Sequence, residues 1–281
     1  MKYRRFGTTK RNVSVIGQGT WYLDEANRAD AVAALERGLD LGANYIDTAE
    51  MYGSGAVEEL VGSVIGQRRD DAFLVSKVLP HNASRAGTIQ ACERSLKRLG
   101  TDRLDCYLLH WCGPYPLEDT IAGFESLLAS GKILSWGVSN FDVGDLEEAL
   151  AIGGRGRIAC NQVLYHLHER DVEHAVIPWC ETNGVAVTAY SPFGHSAFPT
   201  PRSVGGRVLV DIAQTHNATP RQVALAFLTR WTNVFAIPKA SRPDHTQENA
   251  EAASLRLTQA ELARIDTVFP LGPRLAALPA I

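Results

Sequence analysis

The sequence predicts a (β/α)8 barrel preceded by an N-terminal β-hairpin. Short runs of β-branched and apolar residues alternate eight times with longer helical patterns. Polar residues recur where those runs end, and the first four of them, Asp47, Lys77, His110 and Asn140, are spaced by 30, 33 and 30 residues. Eight β-then-α units in a chain of 281 residues suit a closed parallel sheet ringed by helices.

The elements run in order. Lys2 to Phe6 and Arg11 to Val15, around Gly7-Thr8-Thr9, read as a hairpin within 1–15 that closes the barrel bottom. Strands are expected near 13–20, 43–48, 72–77, 104–109, 133–139, 158–163, 185–190 and 234–237, where β-branched and apolar residues cluster. Between them, Val32, Leu35 and Leu39 before Gly42 mark one helix. Ile89, Cys92, Leu96 and Leu99 before Gly100 mark a second, and Ile121, Phe124 and Leu128 before Gly131 a third. No Pro/Gly/Ser-rich linker divides the chain, so 1–281 is expected to form one domain ending in a short tail over 270–281.

Composition narrows the function. With 45% hydrophobic residues a large core can form, and 28 basic against 31 acidic residues leave no basic excess to suggest a nucleic-acid partner. The basic start, Met1 to Arg5, has no apolar stretch after it, and no run is long enough for a membrane span. Five scattered cysteines without a C-x-x-C pair argue against a disulfide framework or a zinc ribbon, so a cytoplasmic protein is expected. His166, His168 and His174 lack a fourth ligand at suitable spacing, and no metal site is expected. Cys112 is expected to be a buried, unreactive thiol.

In a barrel of this kind the C-terminal ends of the strands share one rim, where active sites are built. Asp47, Lys77, His110, Asn140, Gln162, Ser191 and Lys239 therefore converge as an array. Around that rim the sequence resembles the aldo-keto reductases over essentially its whole length. The motifs carrying the likeness are Gly19-Thr20-Trp21, Asp47-Thr48-Ala49-Glu50-Met51-Tyr52-Gly53, Ser76-Lys77, Leu109-His110-Trp111, Gly137-Val138-Ser139-Asn140-Phe141, Asn161-Gln162-Val163, Ala189-Tyr190-Ser191-Pro192 and Ile237-Pro238-Lys239.

The resemblance implies reduction of aldehyde or ketone carbonyls, with Tyr52 as general acid and Asp47, Lys77 and His110 completing a tetrad. No side chain donates hydride, so a nicotinamide cofactor is required: NADPH, with NADH possible. A lysine cation beside the phenol favours phenolate and lowers its pKa, and Asp47 is suited to hold Lys77 in place and charged. His110 either orients the carbonyl or shares the tyrosine proton.

The resemblance further implies that Ser139, Asn140 and Gln162 bond the nicotinamide carboxamide and that Tyr190 stacks on its ring. Gly19, Thr20, Ser191 and Phe193 would line the cofactor's path. Lys239, Ser241, Arg242 and His245 would meet the 2'-phosphate end, and Glu248 and Asn249 the adenine. His245 is a departure, since many NADPH-preferring relatives carry arginine there. Trp21, His81 and Trp111 are expected at the substrate, and the resemblance places the tail over 270–281 near the substrate pocket. No G-x-G-x-x-G follows a strand, which argues against a Rossmann domain. The chain is expected to act as a monomer on a small carbonyl compound. The rival reading is a nicotinamide-binding regulatory protein of the same fold with little turnover.

Overall fold

The computed structural model describes residues 1–281. Strands β1 (Tyr3–Arg5) and β2 (Asn12–Ser14) pair antiparallel as the hairpin. Eight further strands run parallel in sequence order: β3 (Gln18–Gly19), β4 (Tyr45–Asp47), β5 (Phe73–Val78), β6 (Cys106–Leu109), β7 (Trp136–Ser139), β8 (Ile158–Leu164), β9 (Ala186–Tyr190) and β10 (Val234–Ala236). Closure is made by Gly17 N–H donating to Ala236 O at 2.8 Å, Ala236 N–H to Val15 O at 3.0 Å, and Gly19 N–H to Pro238 O at 3.1 Å. A Cβ on Gly19 would lie 2.4 Å from Ile237 O, so the seam needs glycine there.

The expected strand over 13–20 is in fact two elements. Residues 12–14 belong to the hairpin, Ile16 is bridged to Ala236 at the barrel seam, and the strand paired with β4 is confined to Gln18–Gly19. Ile16 and Gly17 carry the chain between the two sheets, and one apolar run serves both.

Helices α1 (Arg28–Asp40), α2 (Ala56–Ile65), α3 (Arg85–Leu99), α4 (Leu117–Ala129), α5 (Val143–Gly153) and α6 (Val176–Asn183) follow successive strands. The segment after β9 holds α7 (Val204–Thr215) and α8 (Pro220–Leu228), and β10 is followed by α9 (Pro243–Glu251) and α10 (Gln259–Val268). α7 packs on both α8 and α10. Asn27 and Ser84 cap α1 and α3 by accepting backbone N–H bonds.

The period of two along each strand sorts residues by height inside the barrel. Phe73, Val75 and Lys77 alternate on one face of β5; Cys106 and Leu108 do so on β6, with His110 next; Tyr45 and Asp47 do so on β4. At the bottom these positions are apolar, and Phe6 from the hairpin seals them by packing on Phe73 at 4.7 Å, Phe235 at 5.0 Å and Tyr45 at 5.4 Å between ring centroids. At the top they are ionisable. The apolar plug thus fixes the height at which Asp47, Lys77 and His110 emerge.

Candidate active site

Lys77 is the hub of the rim. Its ammonium, fully buried, donates to Asp47 Oδ1 at 2.6 Å, to Thr48 O at 2.9 Å and to the Tyr52 hydroxyl oxygen at 3.1 Å. An ammonium has three donors, and all three are spent. Asp47 Oδ2 accepts from Gln162 Nε2 at 2.7 Å, and Thr20 Oγ1 donates to the Asp47 carbonyl at 2.8 Å. Burial raises the Asp47 carboxyl against the pull of Lys77 and Gln162. Burial also pulls Lys77 down, but Asp47 and Tyr52 outweigh it and hold the ammonium charged.

Tyr52 reaches this hub from a turn over Tyr52–Gly55 in which Gly53, Ser54 and Gly55 all have positive φ, 54°, 53° and 98°. A Cβ on Gly53 would meet the Asp24 carboxylate at 2.7 Å, so the turn specifies glycine by both conformation and space. Glu50 ties this loop to the next by accepting from Leu79 N–H at 2.8 Å and Asn82 Nδ2 at 3.0 Å. The expectation of a lowered phenol pKa needs correction. Burial raises it, and although Lys77 pulls it down, Asp47 pushes the same way as burial, so the net direction is up. Tyr52 therefore keeps its proton at neutral pH. Because Lys77 donates to its oxygen, the O–H is left to point elsewhere.

His110 is buried beside this group, its ring 6.0 Å from that of Tyr52 and 4.7 Å from that of Trp111. Burial, reinforced by the Lys77 charge, depresses its pKa to about 2, so it is neutral. Its Nδ1 is buried without a partner. A missing acceptor bond is tolerated more readily than a stranded N–H, which assigns the proton to Nε2.

Tyr52, His110, Ser139, Asn140, Gln162 and Tyr190 line a hollow of about 40 Å³ walled by Trp21, Met51, Trp111 and Ile281. It adjoins a cleft of about 340 Å³ lined by Gly19, Thr20, Trp21, Asp47, Tyr52, Tyr190, Ser191, Phe193 and Lys239, among others. Asn140 is internally committed: Nδ2 donates to His110 O at 3.1 Å and Ser139 Oγ at 3.3 Å, while Oδ1 accepts from Tyr190 at 2.9 Å. Ser139 Oγ in turn donates to Gln162 O at 2.9 Å.

Sequence comparison places this geometry. A sequence profile of the Aldo/keto reductase family matches residues 15–269. The chain belongs to the aldo/keto reductase family. It is an oxidoreductase. A methylglyoxal reductase of Escherichia coli (strain K12) is 44% identical over 261 residues, covering 92% of each chain. A glyoxal reductase of Bacillus subtilis (strain 168) is 33% identical over 258 residues, covering 90% of this chain and 87% of the other. The crystal structure of an aldo-keto reductase from Klebsiella pneumoniae in complex with NADPH matches with a TM-score of 0.92 at 42% identity, covering 100% of this chain and 99% of that one.

In this aldo/keto reductase several expected residues lie elsewhere or are otherwise engaged. His81, expected at the substrate, sits exposed on the turn Pro80–Asn82 and lines neither cavity, while Pro80 before it is buried. Cys112, expected to be buried, is exposed in the loop after β6, its thiol pushed up to about 11 by partial burial and by Asp145, Glu148 and Asp142. Arg242 points its guanidinium at its near neighbour Asp244, Nε to Oδ1 at 3.0 Å and Nη2 to Oδ2 at 2.6 Å, at the exposed start of α9. His245 is exposed and Ser241 half-buried beside it. Glu248 accepts from Thr219 Oγ1 at 2.6 Å, and buried Asn249 lines a narrow crevice between α9 and β3. Sequence reasoning missed Tyr22, His195 and Ser196, which wall the large cleft with positive φ of 63°, 41° and 75°. Tyr22 and His195 both stack on Trp21, at 4.5 and 5.4 Å between ring centroids, which links them to a residue the sequence did single out. No helix is long and apolar enough to cross a membrane.

Proposed function

We propose that the protein reduces small aldehydes or ketones, α-oxoaldehydes foremost, with NADPH as cofactor and Tyr52 as proton donor. The observation carrying this reading is the threefold bonding of Lys77, which spends one donor on the Tyr52 oxygen and thereby frees the phenol proton for a carbonyl in the adjoining hollow. That hollow is small and aromatic on two sides, which suits a compact carbonyl compound, and the relatives named for methylglyoxal and glyoxal support the same class.

The residues present fit a nicotinamide. Gln162 gives its Nε2 to Asp47, and its Oε1 takes no hydrogen bond within the protein, leaving an acceptor for a carboxamide N–H. Tyr190, fixed through Asn140, offers a flat wall at the junction of hollow and cleft. Lys239, exposed at the cleft's far end, supplies a cation for a phosphate. When bound, the nicotinamide supplies hydride. The chain's own residues do the rest. His110 donates from Nε2 to orient the carbonyl oxygen, Tyr52 delivers the proton as negative charge develops there, and Lys77 stabilises the resulting phenolate. Trp21 and Trp111 keep water from the reacting carbon.

The test is a panel of carbonyl compounds including methylglyoxal, monitored by loss of NADPH absorbance, alongside NADPH fluorescence titration without substrate. Turnover of short α-oxoaldehydes at higher kcat/KM than of bulky ketones is expected. Tight NADPH binding without turnover of any compound would overturn the reading and favour a regulatory role.

A further inference from the structure

At the opposite end of the barrel, between the hairpin, the end of α8 and the segment joining α9 to α10, lies a basin of about 230 Å³. Four cations line it, Lys2, Arg4, Arg230 and Arg256, and no carboxylate does. Their bonds show how much donor capacity is unspent. Arg4 is held by backbone alone, donating to the carbonyls of Thr229 at 2.8 Å, Val234 at 3.0 Å and Trp231. Arg256 uses one terminal nitrogen on Ala253 O and Leu255 O, at 3.2 and 3.1 Å, leaving Nε and the other terminal nitrogen without acceptors. The Lys2 ammonium makes no hydrogen bond, and none of Lys2, Arg4 or Arg256 has a salt-bridge partner. Arg230 is paired with Glu173, at 2.7 Å, and its other terminal nitrogen donates to Tyr165 and to Phe227 O, so the unspent donors are those of Lys2 and Arg256. Glu261 on α10 is committed to Thr258 and His216, and Glu251, before Ala252, accepts from Gln222 and Gln247.

Backbone carbonyls position guanidinium groups but do not neutralise them. Burial lowers the affinity of Lys2 and Arg4 for their protons, and the repulsion of neighbouring arginines lowers it further, with no acid to offset it. Like charges gathered with free donors around an open volume form a site whose missing component is an anion. Thr229 and Gln259 add neutral polar groups to the lining.

We propose that this basin binds a phosphoryl dianion, either inorganic phosphate or the phosphate of a small metabolite, at a site separate from the reductase cleft. Its volume lies below the range of roughly 300–1,000 Å³ typical of pockets for drug-sized ligands, which limits any organic body to a few carbons. Binding joins the hairpin to the α9–α10 segment, so occupancy stabilises the fold by mass action.

The experiment is isothermal calorimetry and thermal unfolding of the full chain with inorganic phosphate and, separately, glycerol 3-phosphate, against sodium chloride at equal ionic strength. A saturable rise in Tm is expected. Stronger binding of glycerol 3-phosphate would identify a metabolite site, and equal or weaker binding a site for free phosphate. Lys2→Gln should weaken binding by about tenfold and the Lys2→Gln/Arg256→Gln pair by about a hundredfold. Lys2 has no bond to lose, so Lys2→Gln alone should be as stable as the parent, or more so, in chloride. Lys239→Gln, in the cofactor cleft, should leave this binding unchanged. No saturable effect, equal affinity in Lys2→Gln, or loss confined to Lys239→Gln would each overturn the proposal.

Discussion

Replacing Lys77 by methionine keeps the length of the side chain and removes its charge, and the surroundings of Asp47 determine the cost. Asp47 would lose the ammonium at 2.6 Å and retain only the Gln162 amide at 2.7 Å. Both partners are almost fully enclosed, at 0% and 1% side-chain exposure, so solvent cannot take the place of the lysine. Removing one member of a buried pair typically costs about 3–5 kcal/mol, because the remaining charge is stranded. The carboxyl can escape by taking a proton. Burial already raises the Asp47 carboxyl in the parent, and losing Lys77 raises it further; the added penalty is absent below the unfolded value of about 3.9 and grows as pH rises towards the folded pKa. Urea unfolding at pH 7 and pH 5 measures this directly: the parent and Lys77→Met should differ by several kcal/mol at pH 7 and by less at pH 5. Adding Asp47→Asn should recover much of the loss, since a neutral amide is not stranded as a carboxylate is. A loss below about 1 kcal/mol with no pH dependence would refute the premise that the pair is ionised in the fold.

Three further outcomes are expected around the same site. Tyr52→Phe should lower kcat by about 10²- to 10⁴-fold while NADPH fluorescence titration changes little, since the ring remains and the proton donor is lost. His110, neutral down to about pH 2, should resist protonation that the unfolded chain accepts near 6.5. Stability is then fully present above that value and falls by about 1.4 kcal/mol per pH unit below it, and His110→Gln should flatten the acid limb in urea melts between pH 6.5 and 4.5. Asp244→Asn should free the Arg242 fork and tighten NADPH relative to NADH by roughly three- to tenfold, whereas Arg242→Ala should weaken NADPH by about tenfold, in paired dissociation constants at fixed salt.

The catalytic end of the barrel is legible in the sequence because strand period and barrel period coincide. Asp47, Lys77 and His110 each stand two residues beyond an inward-facing apolar side chain, so the switch from apolar to ionisable at a spacing near 30 marks a rim. Bond partners are not legible in the same way. Gln162 lies 115 residues from Asp47, and nothing local signals that its amide serves the carboxylate. The direction of the Tyr52 shift escapes sequence reasoning because a sequence displays the neighbouring cation and hides the depth of burial. Positions 13–20 mislead because a hairpin arm and a barrel strand share one apolar run. Arg242 reads as a free cation although Asp244, two residues on, is in view; a carboxylate at that spacing is itself a reason to expect a local pair.

Closure of the barrel and construction of the site are one event in this chain. The seam places Gly19 against Pro238, and its neighbour Thr20 donates to the Asp47 carbonyl, so the first and last strands bear directly on the residue that holds Lys77. Lys239 comes directly after Pro238 at the same seam and faces the large cleft. A disturbance of the seam therefore reaches the proposed proton donor through Asp47 and Lys77, and the proposed phosphate contact through Lys239. The two ends of a cofactor lying in the cleft would be held to a common frame by backbone hydrogen bonds of the sheet itself, a more rigid arrangement than mobile loops could give.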